Sequence, residues 1–221
     1  MNKILTVLLL LASGILVNAQ TDKNPTSNDP AAKKILDAVS AKFKTYKSPQ
    51  ASFTYKVENA QGKALSTKKG TVTMKGNKYK VYMDGLEIYS DGKTVWNYDK
   101  SANEVTINSV DASGSAMTPQ KLLTNFYDKD FYYKFNGEKK EGAKQIQEIE
   151  LTPTDKTRPF HKVYLMVDKP GKSIYSARFL EKSGSRYSYT ITNMKTTATA
   201  ADKDFSFDKS KHPGVEVVDL R

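Results

Sequence analysis

The chain has 221 residues, a formal net charge of +11 and no cysteine. The absence of cysteine excludes disulfides, thiolate catalysis and a lipid anchor on cysteine. A basic chain can bind nucleic acid, but these lysines are spread singly or in pairs such as Lys33-Lys34, and we expect an exported protein. Attraction to anionic membranes or to an acidic partner protein is the better interpretation of the charge, and a merely solubilising surface is the plain alternative.

The first nineteen residues are typical of a secretory signal peptide, with a basic start at Lys3, an apolar run over 4–17 and a cleavage site at Val17-Asn18-Ala19. The run is short for a spanning helix, and an uncleaved anchor is the alternative. The polar stretch that follows, 20–28, predicts a disordered linker. We therefore expect a periplasmic protein, exported by a cleaved signal peptide, with a single domain over residues 29–221.

Asp29-Pro30 predicts a helix start, because Asp is a good N-cap and Pro suits the first helical position. Helical spacing then predicts an amphipathic helix of about 16 residues. Its apolar face carries Ile35, Leu36, Val39, Phe43 and Tyr46. Such a helix must lie on an apolar surface.

From Ala51 to Asn108 the apolar period becomes two, with turns at Gly- and Asn-containing breaks, which predicts an antiparallel meander. The stretch SDGKTVWNYD, starting at Ser90, places Val95, Trp96 and Tyr98 on both faces of one strand. Either both faces are covered or one lines a cavity.

Thr118-Pro119 predicts a second helix, with Leu122, Leu123, Phe126 and Tyr127 on one side. Strands resume after it, and the C-terminus adds the strand candidates 204–207 and 213–217. About eleven strands and two helices, without βαβ alternation, predict a mainly β fold with helices. We expect an open, incomplete antiparallel β-barrel whose helices form a lid over an apolar concave face.

Motifs for catalysis are missing. His161 and His212 are isolated, and there is no G-x-S-x-G, Walker or dinucleotide motif. A chance carboxylate pair stays open, but we expect neither an enzyme nor a metal site or cofactor. The 13 Tyr, 9 Phe and single Trp recur along the strands, which predicts an apolar groove for acyl chains. An ordinary core between sheet and helices is the alternative.

Five stretches in order carry a family resemblance: ASFTYKVENAQGK, GTVTMKGNKYKVYM, SDGKTVWNYD, TPQKLLTNF and DFSFDKSKHPGVEVVD. Together they resemble the periplasmic outer-membrane lipoprotein carrier family (LolA-type). The resemblance implies an eleven-stranded unclosed barrel with a helical lid. It also implies a periplasmic chaperone that takes acylated lipoproteins from an inner-membrane ABC-type exporter to an outer-membrane receptor. We expect a monomer, and we expect no nucleic acid as a partner because the lysines are dispersed and the protein is exported.

Two alternatives keep the same fold: a lipid-binding or lipoprotein-sensing module that is not a carrier, and a specialised carrier of another lipid. In the carrier interpretation we expect the acyl groove to be lined by Phe53, Tyr55, Val57, Val72, Met74, Tyr79, Val81, Trp96, Tyr98, Leu122, Leu123 and Phe126. Lys75-Gly76 stands where the family usually has Arg-Pro, whose Arg holds the lid closed. Lys75 is therefore the candidate for lid control, although it lacks the planar guanidinium fork.

Overall fold

A computed structural model describes residues 27–110 and 127–221. The first element is helix α1 (Pro30–Lys44), whose N-cap is Asp29. The Asp29 Oδ1 accepts a hydrogen bond from the Ala31 N–H at 2.8 Å, and Pro30 loses nothing in a first turn where N–H groups lack helical partners. The predicted helix is confirmed, at 15 residues rather than about 16. The predicted helix that opens at Thr118-Pro119 lies mostly outside the described residues.

Within the described residues, twelve strands and one short α-helix follow α1. The first six strands are β1 (Gln50–Glu58), β2 (Ala64–Lys75), β3 (Lys78–Met83), β4 (Leu86–Ser90), β5 (Thr94–Asp99) and β6 (Glu104–Ser109). Helix α2 (Tyr127–Asp130) precedes β7 (Phe131–Glu141), β8 (Lys144–Pro153), β9 (Phe160–Asp168), β10 (Ser173–Glu181), β11 (Arg186–Lys195) and β12 (Glu216–Asp219).

The strands form one sheet in the order β12-β6-β5-β4-β3-β2-β1-β11-β10-β9-β8-β7. Strand β1 pairs with β11 and so joins the two halves of the chain. Strands β7 and β12 form the two edges of this sheet and do not pair with each other, so the sheet that the described residues form is an open, incomplete barrel, as predicted. Two details of the prediction are wrong. The last strand, β12, runs parallel to β6, and the expected strand 204–207 starts within a 3₁₀ turn, Asp202–Phe205.

The two faces of the sheet differ. We define the inner face by the side chains of Tyr55, Tyr189, Ala177, Leu165 and Ile149, which lie opposite one another on successive strands. Helix α1 lies on this face, and its residues Ala32, Leu36 and Val39 join the largest apolar core with the inner-face residues of β7 to β10. The helix therefore covers one half of the inner face.

The outer face of β8 and β9 holds a buried ion pair. The Lys162 ammonium lies 2.9 Å from a carboxylate oxygen of Glu150, and the two residues are only 7% and 3% exposed. The Glu150 carboxylate also accepts a hydrogen bond from the Asn136 side chain at 3.3 Å. This pair stabilises the fold only while both charges are present, because a buried charge without a partner is costly.

The edge strand β7 is partly covered by the residue that precedes α1. The Asp29 N–H donates to the Tyr133 carbonyl at 3.1 Å, and the Asp29 Oδ2 accepts from the Phe135 N–H at 2.9 Å. The hydrogen bond from the Phe135 N–H is the largest cause that holds the pKa of Asp29 below its usual value. One aspartate thus caps the helix and completes part of a sheet edge.

Candidate functional site

Beyond α1, the inner face of β1 to β4 carries an apolar cluster, which we call the groove. Six of the predicted groove residues lie in one apolar cluster: Phe53, Tyr55, Val72, Met74, Tyr79 and Val81. The register explains why they meet. Val72 lies opposite Val81, Met74 lies opposite Tyr79, and residues opposite one another in an antiparallel pair share a face. Strict alternation along β1, β2 and β3 therefore brings all six to the inner face.

The groove has a buried floor and an accessible wall. Phe53, Val72 and Met74 are at most 7% exposed, whereas Val81 and Ile88, which lie opposite each other on β3 and β4, are half-buried. Water therefore still reaches apolar side chains that an ordinary core would enclose. An accessible apolar surface of this kind can bind an apolar ligand without unfolding.

Val57 lies two residues beyond Tyr55 on the same face, opposite Tyr187 of β11. It is half-buried. Its neighbours connect the groove to the core under α1, because Tyr187 and Tyr189 both pack against that core. Val57 thus stands where the groove meets the main core.

Three tyrosines from β1 and β11 form the junction between groove and core. The Tyr55 ring centroid lies 5.0 Å from that of Tyr189 and 6.3 Å from that of Tyr187. Burial raises the pKa of Tyr189 to about 12. Burial is also the main cause that raises the pKa of Tyr187 and of Tyr55. All three remain neutral at physiological pH and present aromatic faces rather than charge.

The sequence analysis missed the contribution of β11, although Tyr187-Ser-Tyr189-Thr-Ile191 alternates as the chosen strands do. Tyr189 and Ile191 both pack against the groove cluster. Their alternation was visible, but only the pairing of β11 with β1 shows that they belong to this site.

The prediction that Trp96 and Tyr98 line the groove is wrong. Ile88 on the inner face lies opposite Asn97, so the neighbours of Asn97 project from the outer face. There Tyr98 contacts His212 and Phe207, at ring distances of 4.4 and 5.3 Å. Strand β5 is apolar on its outer face because the C-terminal segment crosses it.

The described partners of Lys75 also belong to the C-terminal segment. Its ammonium donates to the Ala200 carbonyl at 3.0 Å and lies 2.8 Å from Asp202, which Lys78 approaches to 2.9 Å. Hydrogen bonds from Lys75 and Lys78 lower the pKa of Asp202 to about 2. These contacts do not support the predicted role of Lys75 in lid control. Leu122, Leu123 and Phe126 lie outside the described residues.

A polar network ties α1 to α2, where the described chain resumes. The Tyr127 hydroxyl donates to Asp37 at 2.7 Å, and the Lys33 ammonium lies 3.1 Å from Asp37 and 3.5 Å from Asp128. The Tyr127 hydrogen bond is the main cause that lowers the pKa of Asp37. The chain therefore enters β7 from a fixed point beside α1.

Within residues 27–110 and 127–221, no three His, Asp or Glu side chains are placed to hold a metal ion. Nor does any helix in these ranges have the length and hydropathy to cross a membrane.

Fold and groove together define a class, the open, incomplete β-barrels with an apolar inner face beneath a helix. Residues 44–208 match the family model of the outer membrane lipoprotein carrier protein LolA, and the chain belongs to this family. An outer-membrane lipoprotein carrier protein of Photorhabdus laumondii is 30% identical over 177 residues, which are 77% of this chain and 81% of the relative.

Two solved structures share the fold. An uncharacterised conserved protein of Thermus thermophilus superposes with a TM-score of 0.59 at 15% identity, covering 86% of this chain and 99% of that one. Lipoprotein LppX of Mycobacterium tuberculosis gives a TM-score of 0.52 at 11% identity, covering 79% and 100% of the two chains. At these identities the likeness concerns the fold alone.

Proposed function

We propose that this protein is a periplasmic carrier that holds the acyl chains of lipoproteins in the inner-face groove. The observation that carries the proposal is the accessible apolar wall around Val81 and Ile88 above a buried floor. Membership of a family whose relatives are named lipoprotein carriers supports it.

The physical need for such a carrier follows from the cost of acyl chains in water. Each methylene group left exposed costs about 0.8 kcal/mol, so a chain of a dozen or more carbons does not cross an aqueous space unescorted. An apolar groove without charged side chains on its floor lowers that cost by burying the chain. Because such burial is non-directional, no specific bond has to be broken when the chain is released.

The proposal includes the route of the chain. Residues 1–19 direct export and are removed, 20–28 form a linker, and residues 29–221 are the single working domain. The protein acts as a monomer, receives its cargo from an inner-membrane ABC-type exporter and delivers it to an outer-membrane receptor. It catalyses no reaction in this scheme.

Binding of a soluble fluorescent acyl probe tests the groove. Val81→Glu places a carboxylate on the accessible wall and should raise the dissociation constant at least about tenfold, because burying a charge against an acyl chain is unfavourable. Tyr82→Glu is the matched control, since Tyr82 is the next residue of β3 and lies exposed on the outer face. Equal loss in both variants would contradict the proposal.

Native mass spectrometry of the protein, purified without detergent from its own periplasm, identifies the cargo. Adducts with the mass of an acylated peptide are expected. A different lipid mass would replace the proposal with a specialised carrier. An apo mass with no probe binding would mean that the inner face is ordinary core, and the proposal would fail.

A further inference from the structure

Four lysines lie at one end of the sheet, and we call them the basic rim. Lys42 lies in the last turn of α1, Lys47 in the loop before β1, Lys172 in the turn between β9 and β10, and Lys195 at the end of β11. All four are exposed. Lys42 and Lys172 line the same crevice, and Lys195 pairs across the sheet with Gln50, three residues after Lys47. Lys42 and Lys172 thus reach one opening from segments distant in sequence. Lys47 and Lys195 lie at the same end of the sheet, and Lys195 projects from its outer face, as its partner Gln50 does.

The crevice inside the basic rim is apolar and continuous with the groove. Phe43, Tyr46 and Met194 line it, and the two aromatic rings meet edge to face at 6.0 Å. Phe43 and Met194 also pack against the groove cluster. The positive charge of the rim therefore adjoins half-buried apolar and aromatic side chains.

The charge of the rim is not neutralised locally. In the part of the chain that the structure describes, no carboxylate lies within 4.0 Å of any of the four ammonium groups. The carboxylate nearest along the chain to Lys172 is Asp168, which accepts from the Gly171 N–H at 3.1 Å and lies 3.9 Å from Lys144. The rim is thus free to attract external anions.

We propose that the basic rim docks the protein on an anionic phospholipid surface. Each lysine near such a surface contributes about 1 kcal/mol of attraction, and a tyrosine among them suits the interface between headgroups and acyl chains. A protein partner is less well matched, because protein interfaces favour arginine and are depleted in lysine. Membrane docking goes beyond carriage of acyl chains and does not require the groove to be filled.

Co-sedimentation with vesicles tests this docking. Vesicles of phosphatidylcholine with about 30% phosphatidylglycerol should bind the protein at about 0.05 M salt and release it at about 0.5 M, whereas pure phosphatidylcholine should not bind it. The triple variant Lys42→Glu, Lys47→Glu, Lys172→Glu should bind at least about 100-fold more weakly, from about fivefold per lysine.

The control makes the same change of net charge elsewhere, with Lys63→Glu, Lys100→Glu and Lys129→Glu, three exposed lysines remote from the rim in the fold. It should retain most of the binding. Equal loss in the control, or no binding of the wild-type protein to anionic vesicles, would overturn the proposal. Binding to an acidic peptide such as polyaspartate but not to vesicles would also overturn it, in favour of a protein partner. If the rim variant binds the acyl probe as the wild-type protein does, its loss of vesicle binding comes from the rim and not from a damaged groove.

Discussion

Gly70 in β2 is the position where one methyl group would most directly disturb the groove. A Cβ there would lie 2.5 Å from the Phe53 Cζ and 2.6 Å from the Tyr82 carbonyl oxygen, against 3.4–4 Å for an ordinary contact. The aromatic ring and the neighbouring strand must therefore separate by about 1 Å, and overpacking of this kind costs about 1–3 kcal/mol. We expect Gly70→Ala to lower the free energy of unfolding by that amount.

Urea unfolding followed by circular dichroism measures this change. Because leucine lacks the Cζ atom, Gly70→Ala should cost less in a Phe53→Leu background, with a coupling of about 0.5–3 kcal/mol. The contact with the Tyr82 carbonyl remains, so the rescue should be partial. Thr71→Ala, on the outer face of the same strand, should cost less than about 1 kcal/mol. A Gly70→Ala protein as stable as the wild type, or the absence of coupling to Phe53, would refute the proposed packing of the groove floor.

Three further predictions concern other parts of the molecule. Lys162→Met leaves the Glu150 carboxylate buried without its cation and should lower the free energy of unfolding by about 3–5 kcal/mol at pH 7, while adding Glu150→Gln should restore much of it in the same urea assay. Asp202 has a folded pKa of about 2, so its contribution is present above about pH 4 and is lost as the pH falls toward 2. The stability difference between wild type and Asp202→Asn should shrink strongly over that range and also shrink with salt; a difference that is undiminished at pH 2 would contradict the ion pairs. Trp96→Phe should leave acyl-probe affinity within about twofold, since the indole lies outside the groove, and a tenfold loss would restore the earlier assignment.

Local patterns were sufficient for most of the architecture. Helix α1 could be predicted from the Asp29-Pro30 start and from the helical spacing of Leu36 and Val39, because capping and amphipathicity depend on neighbours in sequence. The period-two stretches gave the meander of β1 to β6, since alternation and turn residues are also local.

The errors share one physical cause, which is the path of the C-terminal segment. Trp96 could not be assigned to a face from parity, because a segment more than a hundred residues later supplies the Phe207 and His212 rings that cover the outer face. The same segment adds β12 parallel to β6 and binds Lys75. Such long-range contacts leave no periodic signal in the residues that receive them.

The hydrogen bonds between Asp29 and β7 have a consequence for solubility. An open barrel exposes strand edges that could pair with another copy and start aggregation, a hazard that closed barrels avoid. Asp29 occupies the backbone groups of Tyr133 and Phe135 on one such edge, and the rest of that strand carries charges at 138–141. At the other edge β12 is only four residues long. The fold thus keeps an accessible groove while giving a second copy little edge to join.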